Sequence, residues 1–96
     1  MLESIKNSLR IDGTDLDVEV QDLIEAAVLD LSIAGVDPVK LATPDALLKR
    51  AITVYCKANF GYDDPRVAER FEASYLSLKQ HLTLSGEYMA GDASES

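Results

Sequence analysis

Ninety-six residues, 47% of them hydrophobic, are enough for one small domain with a modest core. Seventeen acids against nine bases give a net charge of −8, the reverse of the balance with which a domain neutralises duplex phosphates, so tight nucleic-acid binding is disfavoured. Cys56 is the only cysteine, which excludes an intrachain disulfide and a thiolate zinc cluster; with no Trp and 6% aromatics the core falls to Leu, Ile, Val and Ala, a palette that favours helices.

The N-terminus, Met1-Leu2-Glu3-Ser4-Ile5-Lys6, lacks the basic and then apolar blocks of a signal peptide. No stretch approaches the ~18–20 apolar residues of a membrane span. Synthesis in the cytoplasm, without a membrane partner, is expected.

Periodicity predicts an all-α fold, a small bundle of about four helices. The first is short: Leu2, Ile5 and Leu9 share a face, and Asp12-Gly13 is expected to end it. Such a segment is too short to persist alone and must dock.

The second helix is expected from about Asp15 to Ala34, with Thr14 as N-cap and Asp15, Asp17 and Glu19 at the positive end of its dipole. Its main stripe is Leu16, Val20, Leu23, Ile24, Ala27, Val28, Leu31 and Ala34, and Gly35 supplies the stop. Val18, Leu29 and Ile33 point roughly the other way. A helix apolar on two faces is sandwiched in its own domain or touches another subunit.

Residues 35–42 read as a linker whose Val and Leu side chains turn inward. Thr43-Pro44-Asp45 then reads as N-cap, N1 and N2 of a third helix. Leu47, Leu48, Ala51, Ile52, Val54, Tyr55 and Ala58 cover nearly half its circumference, which marks it as the centre of the domain. Its other face carries Lys49, Arg50, Thr53 and Lys57, a basic stripe in an acidic protein. Asp64-Pro65 starts a fourth helix in the same manner, with Val67, Ala68, Phe71, Ser74, Tyr75, Leu78 and Leu82 in one stripe to about Thr83. The expected core is Leu23, Ala27, Leu31, Leu48, Ile52, Tyr55, Phe71, Tyr75 and Leu78. The helical domain is expected over 1–88, and 89–96 as a polar, disordered tail.

Chemistry-bearing residues are sparse. Cys56 lies beside an apolar face and His81 near the end of another helix; one Cys and one His make neither a triad nor a transition-metal set. The run from Asp12 to Glu19 places its glycine second and Leu23 at the twelfth position, so it is a capped acidic helix start and not an EF-hand. Asp30-Leu31-Ser32 has the wrong order, and the wrong end of a helix, for the Asp-Ser-Leu site of an acyl carrier protein. Neither an enzyme nor a cofactor is expected. The basic stripe reads as a solvated face, as one side of a charge pairing within the chain or with a neighbour, or, least favoured, as a phosphate or nucleic-acid contact; each exposed pair is worth little alone.

The order of helices and breaks carries a resemblance. Leu9-Arg10-Ile11-Asp12 before an acid-rich helix start, then the run from Ala51 through Phe60-Gly61-Tyr62-Asp63-Asp64, Arg70-Phe71-Glu72-Ala73-Ser74-Tyr75, Leu78-Lys79-Gln80-His81-Leu82 and Ser85-Gly86-Glu87-Tyr88, resemble the head–tail connector (adaptor) proteins of tailed phages, siphophages and prophages in particular. The resemblance covers roughly residues 1–88. It implies a structural subunit of a virion ring that docks on the portal protein after DNA packaging. Such a ring extends the DNA channel and presents a surface to a tail-proximal connector or stopper protein, with DNA only as passing cargo. It also implies a homo-oligomer in the virion, with a monomer or weak oligomer when isolated. The interface expected for it pairs Lys49, Arg50 and Lys57 with Asp22, Glu25 and Asp30 of a neighbour, with Leu29 and Ile33 close to the seam. An acidic, antitoxin-like regulator that masks a basic partner is the alternative; a helix-turn-helix DNA binder is disfavoured by charge.

Overall fold

The computed structural model describes residues 1–60 and 64–90. The protein is all-α: α1 (Leu2–Leu9), α2 (Asp17–Ile33), α3 (Pro38–Ala42), α4 (Ala46–Asn59) and α5 (Pro65–Leu84). The expected second, third and fourth segments are α2, α4 and α5. Among the described residues no strand forms beyond one antiparallel bridge between Val36 and Met89.

Four boundaries differ from expectation, each for a local reason. α1 ends at Arg10, which takes a left-handed conformation at φ 61°, ahead of Asp12-Gly13. The Arg10 and Ile11 N–H groups cap the carbonyls of Asn7 and Lys6, and those bonds offset a backbone state that costs a non-glycine residue about 1–2 kcal/mol. α2 begins after Leu16 and has no side-chain cap. Thr14 closes the preceding turn through its carbonyl, and the Asp17 carboxylate is taken by Lys6.

Residues 38–42 form the short helix α3, capped by Asp37, whose carboxylate accepts from the Val39 N–H at 2.9 Å. Within this segment Val36 and Leu41 are buried, whereas Val39 is 74% exposed. The N-cap of α4 is Asp45, not Thr43: its carboxylate accepts from the Leu48 N–H at 3.0 Å.

α4 packs against α1, α2 and α5. Its Leu48, Ala51, Ile52, Val54 and Cys56 are buried together with Val20, Ile24, Ala27 and Leu31 of α2, Ile5 of α1, and Tyr75 and Leu82 of α5. Leu23, Tyr55, Phe71 and Leu78 are half-buried and line this cluster. Tyr55 meets Tyr75 edge to face with ring centres 5.1 Å apart.

Both ends of the described chain are tied down. Lys6 is only 5% exposed, and its ammonium donates to the Gly13 carbonyl and pairs with Asp17 at 2.6 Å. After α5 the chain turns at Ser85 and runs back along the α2–α3 junction as a strap. The Asp37 N–H donates to Tyr88 O at 2.8 Å, and the Ala90 N–H donates to Gly35 O at 2.7 Å. The pairing thus includes Met89 and Ala90, where the tail was expected to begin; the rest of that tail, 91–96, lies outside the described residues, as do Gly61, Tyr62 and Asp63 of the Phe-Gly break.

Candidate functional site

α2 buries one face and presents another. Val18, Asp22, Glu25, Leu29 and Ile33 recur every three or four residues and make one exposed ridge, with Leu29 60% and Ile33 76% exposed. Asp22 makes no ion pair among the described residues, and the Glu25 carboxylate meets only the Gln21 amide, at 3.4 Å. Beside the ridge lies a groove of about 660 Å³ walled by Met1 and Leu2 of the N-terminal segment, Ile24, Val28 and Leu29 of α2, and Leu41 of α3. Three exposed apolar side chains and two carboxylates therefore share one face of α2.

Asp30 does not belong to that exposed set. Its carboxylate accepts from the Tyr75 hydroxyl at 2.5 Å and from the Lys79 ammonium at 3.0 Å. Burial drives its pKa up, but the bonds from Tyr75 and Lys79 and the charge of Lys79 outweigh that and leave it below the ordinary value. Tyr75 shifts the other way, raised by burial first and then by the bond to Asp30. Asp30 therefore joins α2 to α5 within the chain, and only Asp22 and Glu25 remain for an outside partner.

The outward face of α4 is basic. Lys49 and Arg50 are exposed and pair with no carboxylate among the described residues. Lys57 is half-buried, its ammonium 5.4 Å from the centre of the Phe71 ring. The three cations line a second groove, about 430 Å³, with Phe71 and the hydroxyl residues Ser8 and Ser74; no carboxylate lines it. α1 and α5 thus wall a basic channel whose base is α4.

Neither Cys56 nor His81 lines these grooves. Cys56 is buried, and burial pushes its thiol up to about 12, so it stays protonated at neutral pH. His81 is exposed in the last turn of α5. Among the described residues no three His, Cys, Asp or Glu side chains are placed to hold a metal ion. No helix among them is long and apolar enough to cross a membrane.

Sequence reading missed the groove walls. Ser8 and Phe71 come to Lys49 and Arg50 only through the packing of α1 and α5 on α4, and nothing in local periodicity announces that. Met1, Leu2 and Leu41 meet the α2 ridge for the same reason.

The fold and its surfaces define a small helical module with one acidic, partly apolar face and one basic groove on different helices. The chain belongs to the phage connector protein family, a family of structural proteins, whose pattern it matches over residues 1–89. That membership takes the place of the antitoxin-like reading. No curated protein and no solved structure matches the chain.

Proposed function

We propose that the protein is one subunit of a head–tail connector ring that docks on the portal after DNA packaging and extends the DNA channel towards the tail. A ring is closed by a heterologous interface, in which one patch of each subunit meets a different patch of the next. The observation that carries this reading is the pair of unlike, unsatisfied surfaces. Among the described residues Lys49 and Arg50 on α4 pair with no carboxylate, and Asp22 and Glu25 on α2 pair with no cation. The basic groove of one subunit receives the α2 ridge of its neighbour, with Leu29 and Ile33 against the seam. Lys57, stacked on Phe71, acts as one wall of that groove.

Individual exposed pairs contribute little. The isolated subunit is accordingly a monomer or a weak, salt-sensitive oligomer, and the portal templates the ring. The overall acidity supports the channel role, since a lumen of net negative charge lets DNA pass without sticking.

Electron microscopy of purified portal mixed with this protein tests the reading. A further ring of density beneath the portal is expected, absent when the protein is left out. Portal particles unchanged by an excess of the protein at low salt contradict it.

A further inference from the structure

The groove on the outward face of α4 gathers like charges with nothing to balance them. Lys49, Arg50 and Lys57 line it and, among the described residues, no carboxylate does, in a chain whose net charge is −8. Clustered cations repel one another, and a cleft lined by one sign of charge concentrates counter-ions, so an anion that enters is stabilised.

The donors converge from three helices. Residues 49, 50, 53 and 57 fall within about 100° of the circumference of α4, and Thr53 lies one turn from Lys49 and one turn from Lys57. The Lys57 ammonium is held at the α5 wall, 5.4 Å from the centre of the Phe71 ring. Ser8 of α1 and Ser74 of α5 bring hydroxyls into the same groove, and neither hydroxyl has a hydrogen-bond partner among the described residues. Thr53 differs, because its hydroxyl donates back to Lys49 O at 2.7 Å, the ordinary habit of a helical hydroxyl. Ser8 and Ser74 are left as donors.

We propose that this groove binds a small multivalent oxyanion of the phosphate class, with Lys49, Arg50 and Lys57 supplying the charge and Ser8 and Ser74 the neutral donors on the walls. A tetrahedral oxyanion offers several acceptor oxygens at once and takes charge-assisted bonds, two of them in parallel from a guanidinium. Size and charge set the upper limit. The groove is about 430 Å³ in an acidic chain, and a duplex laid across it would bring further phosphates, one per about 1.7 Å, against negative surface. The ligand is therefore a small anion and not a nucleic-acid backbone.

One consequence rests on the connector reading: the anion occupies the surface that the neighbour's α2 ridge needs, and it is displaced when a ring forms. The binding itself belongs to the single chain, where it can be measured without any portal.

The test titrates the isotope-labelled full chain, at a concentration where it is monomeric, with sodium phosphate at constant pH and against sodium chloride at matched ionic strength. The Lys49, Arg50, Lys57, Ser8 and Ser74 amide resonances are expected to shift along one saturating curve. Half-saturation falls at about 1 mM phosphate, the strength of a few exposed charge-assisted contacts. Chloride only screens and gives an unsaturated drift. Lys49→Gln/Arg50→Gln leaves thermal unfolding nearly unchanged and weakens phosphate binding by about 2- to 30-fold, the range for two exposed charge contacts. Equal shifts in the two salts overturn the proposal, and so do shifts confined to α4 that leave Ser8 and Ser74 unmoved. A short DNA duplex that binds more tightly than inorganic phosphate also overturns it, in favour of a nucleic-acid interface. On the portal, phosphate at ten times its half-saturating concentration raises the subunit concentration needed for a ring about 10-fold over chloride; no difference overturns the competition. A portal that ignores the protein overturns the connector reading and leaves the monomer titration standing.

Discussion

The two ends of the described chain are fastened in opposite ways. α1 is welded in: Ile5 is fully buried among the core side chains, and Lys6 beside it spends its ammonium on Gly13 and Asp17. The strap after α5 is laid on the surface. From Thr83 onward no described residue is fully buried, and what holds 88–90 is a pair of backbone hydrogen bonds, the Tyr88 hydroxyl on Asp45 and the half-buried Tyr88 ring at the edge of the core. The difference shows which end is free to respond to a partner. Removing α1 means opening the core at the fully buried Ile5, whereas lifting the strap frees only the half-buried Tyr88 and Met89, and local opening follows the number of buried contacts.

The sharpest way to break the comparison is to cut each end once. Ile5→Ala removes a fully buried side chain and is expected to cost about 2–5 kcal/mol, read as a loss of global stability in thermal or denaturant unfolding. A negligible shift there would mean that α1 is not part of the core. Gly35→Ala acts on the strap. Gly35 sits at φ +111°, where a side chain is strained, and its new Cβ would fall 2.5 Å from Met89 Cε. The Met89 tip can swing aside, so the backbone strain sets the cost, about 1–3 kcal/mol. Faster amide exchange at Asp37 and Ala90 is expected; unchanged exchange at both would show that the strap tolerates the strain.

Tyr88→Phe is the smallest change. It removes the bond that, ahead of the Leu48 N–H, holds the Asp45 carboxyl below its ordinary value of 3.8. A carboxyl lowered in the folded state stabilises above its unfolded value and loses that contribution as pH falls through the folded value. The strap should therefore loosen in acid, below about the ordinary 3.8, and Tyr88→Phe should blunt that acid response when Ala90 exchange is followed against pH. At the other end the sign reverses. Lys6 is raised above 10.5, first by its bond to Asp17, so its contribution is complete below that value and is lost as pH rises through the folded one. An acid response at Ala90 that is identical in wild type and Tyr88→Phe would take Asp45 out of the account.

Much of this architecture is written locally. The stripes of α2, α4 and α5 follow from spacing, and Asp64-Pro65 starts α5 as its residues suggest, with Asp64 accepting from the Arg66 N–H. Asp37-Pro38 carries the same signal, but the five residues of α3 are too few to show a period. What was not legible is long-range. Lys6 reads as an exposed base in a short helix until Asp17 arrives beside it, and Asp30 reads as a surface acid until Tyr75 and Lys79, more than forty residues away, claim it. The surfaces divide in the same way. The basic stripe and the apolar pair Leu29 and Ile33 could be seen in the sequence, but their grooves are made by other helices.

The central claim is that the Lys49–Arg50 groove receives the Asp22–Glu25 ridge of the next subunit. A charge exchange read by electron microscopy of portal complexes addresses it most directly. Lys49→Glu/Arg50→Glu should leave the circular dichroism and thermal unfolding of the subunit nearly unchanged, since both side chains are exposed, and should abolish the ring on the portal. Adding Asp22→Lys/Glu25→Lys to the same chain should bring part of it back. A normal ring from Lys49→Glu/Arg50→Glu alone would contradict the account.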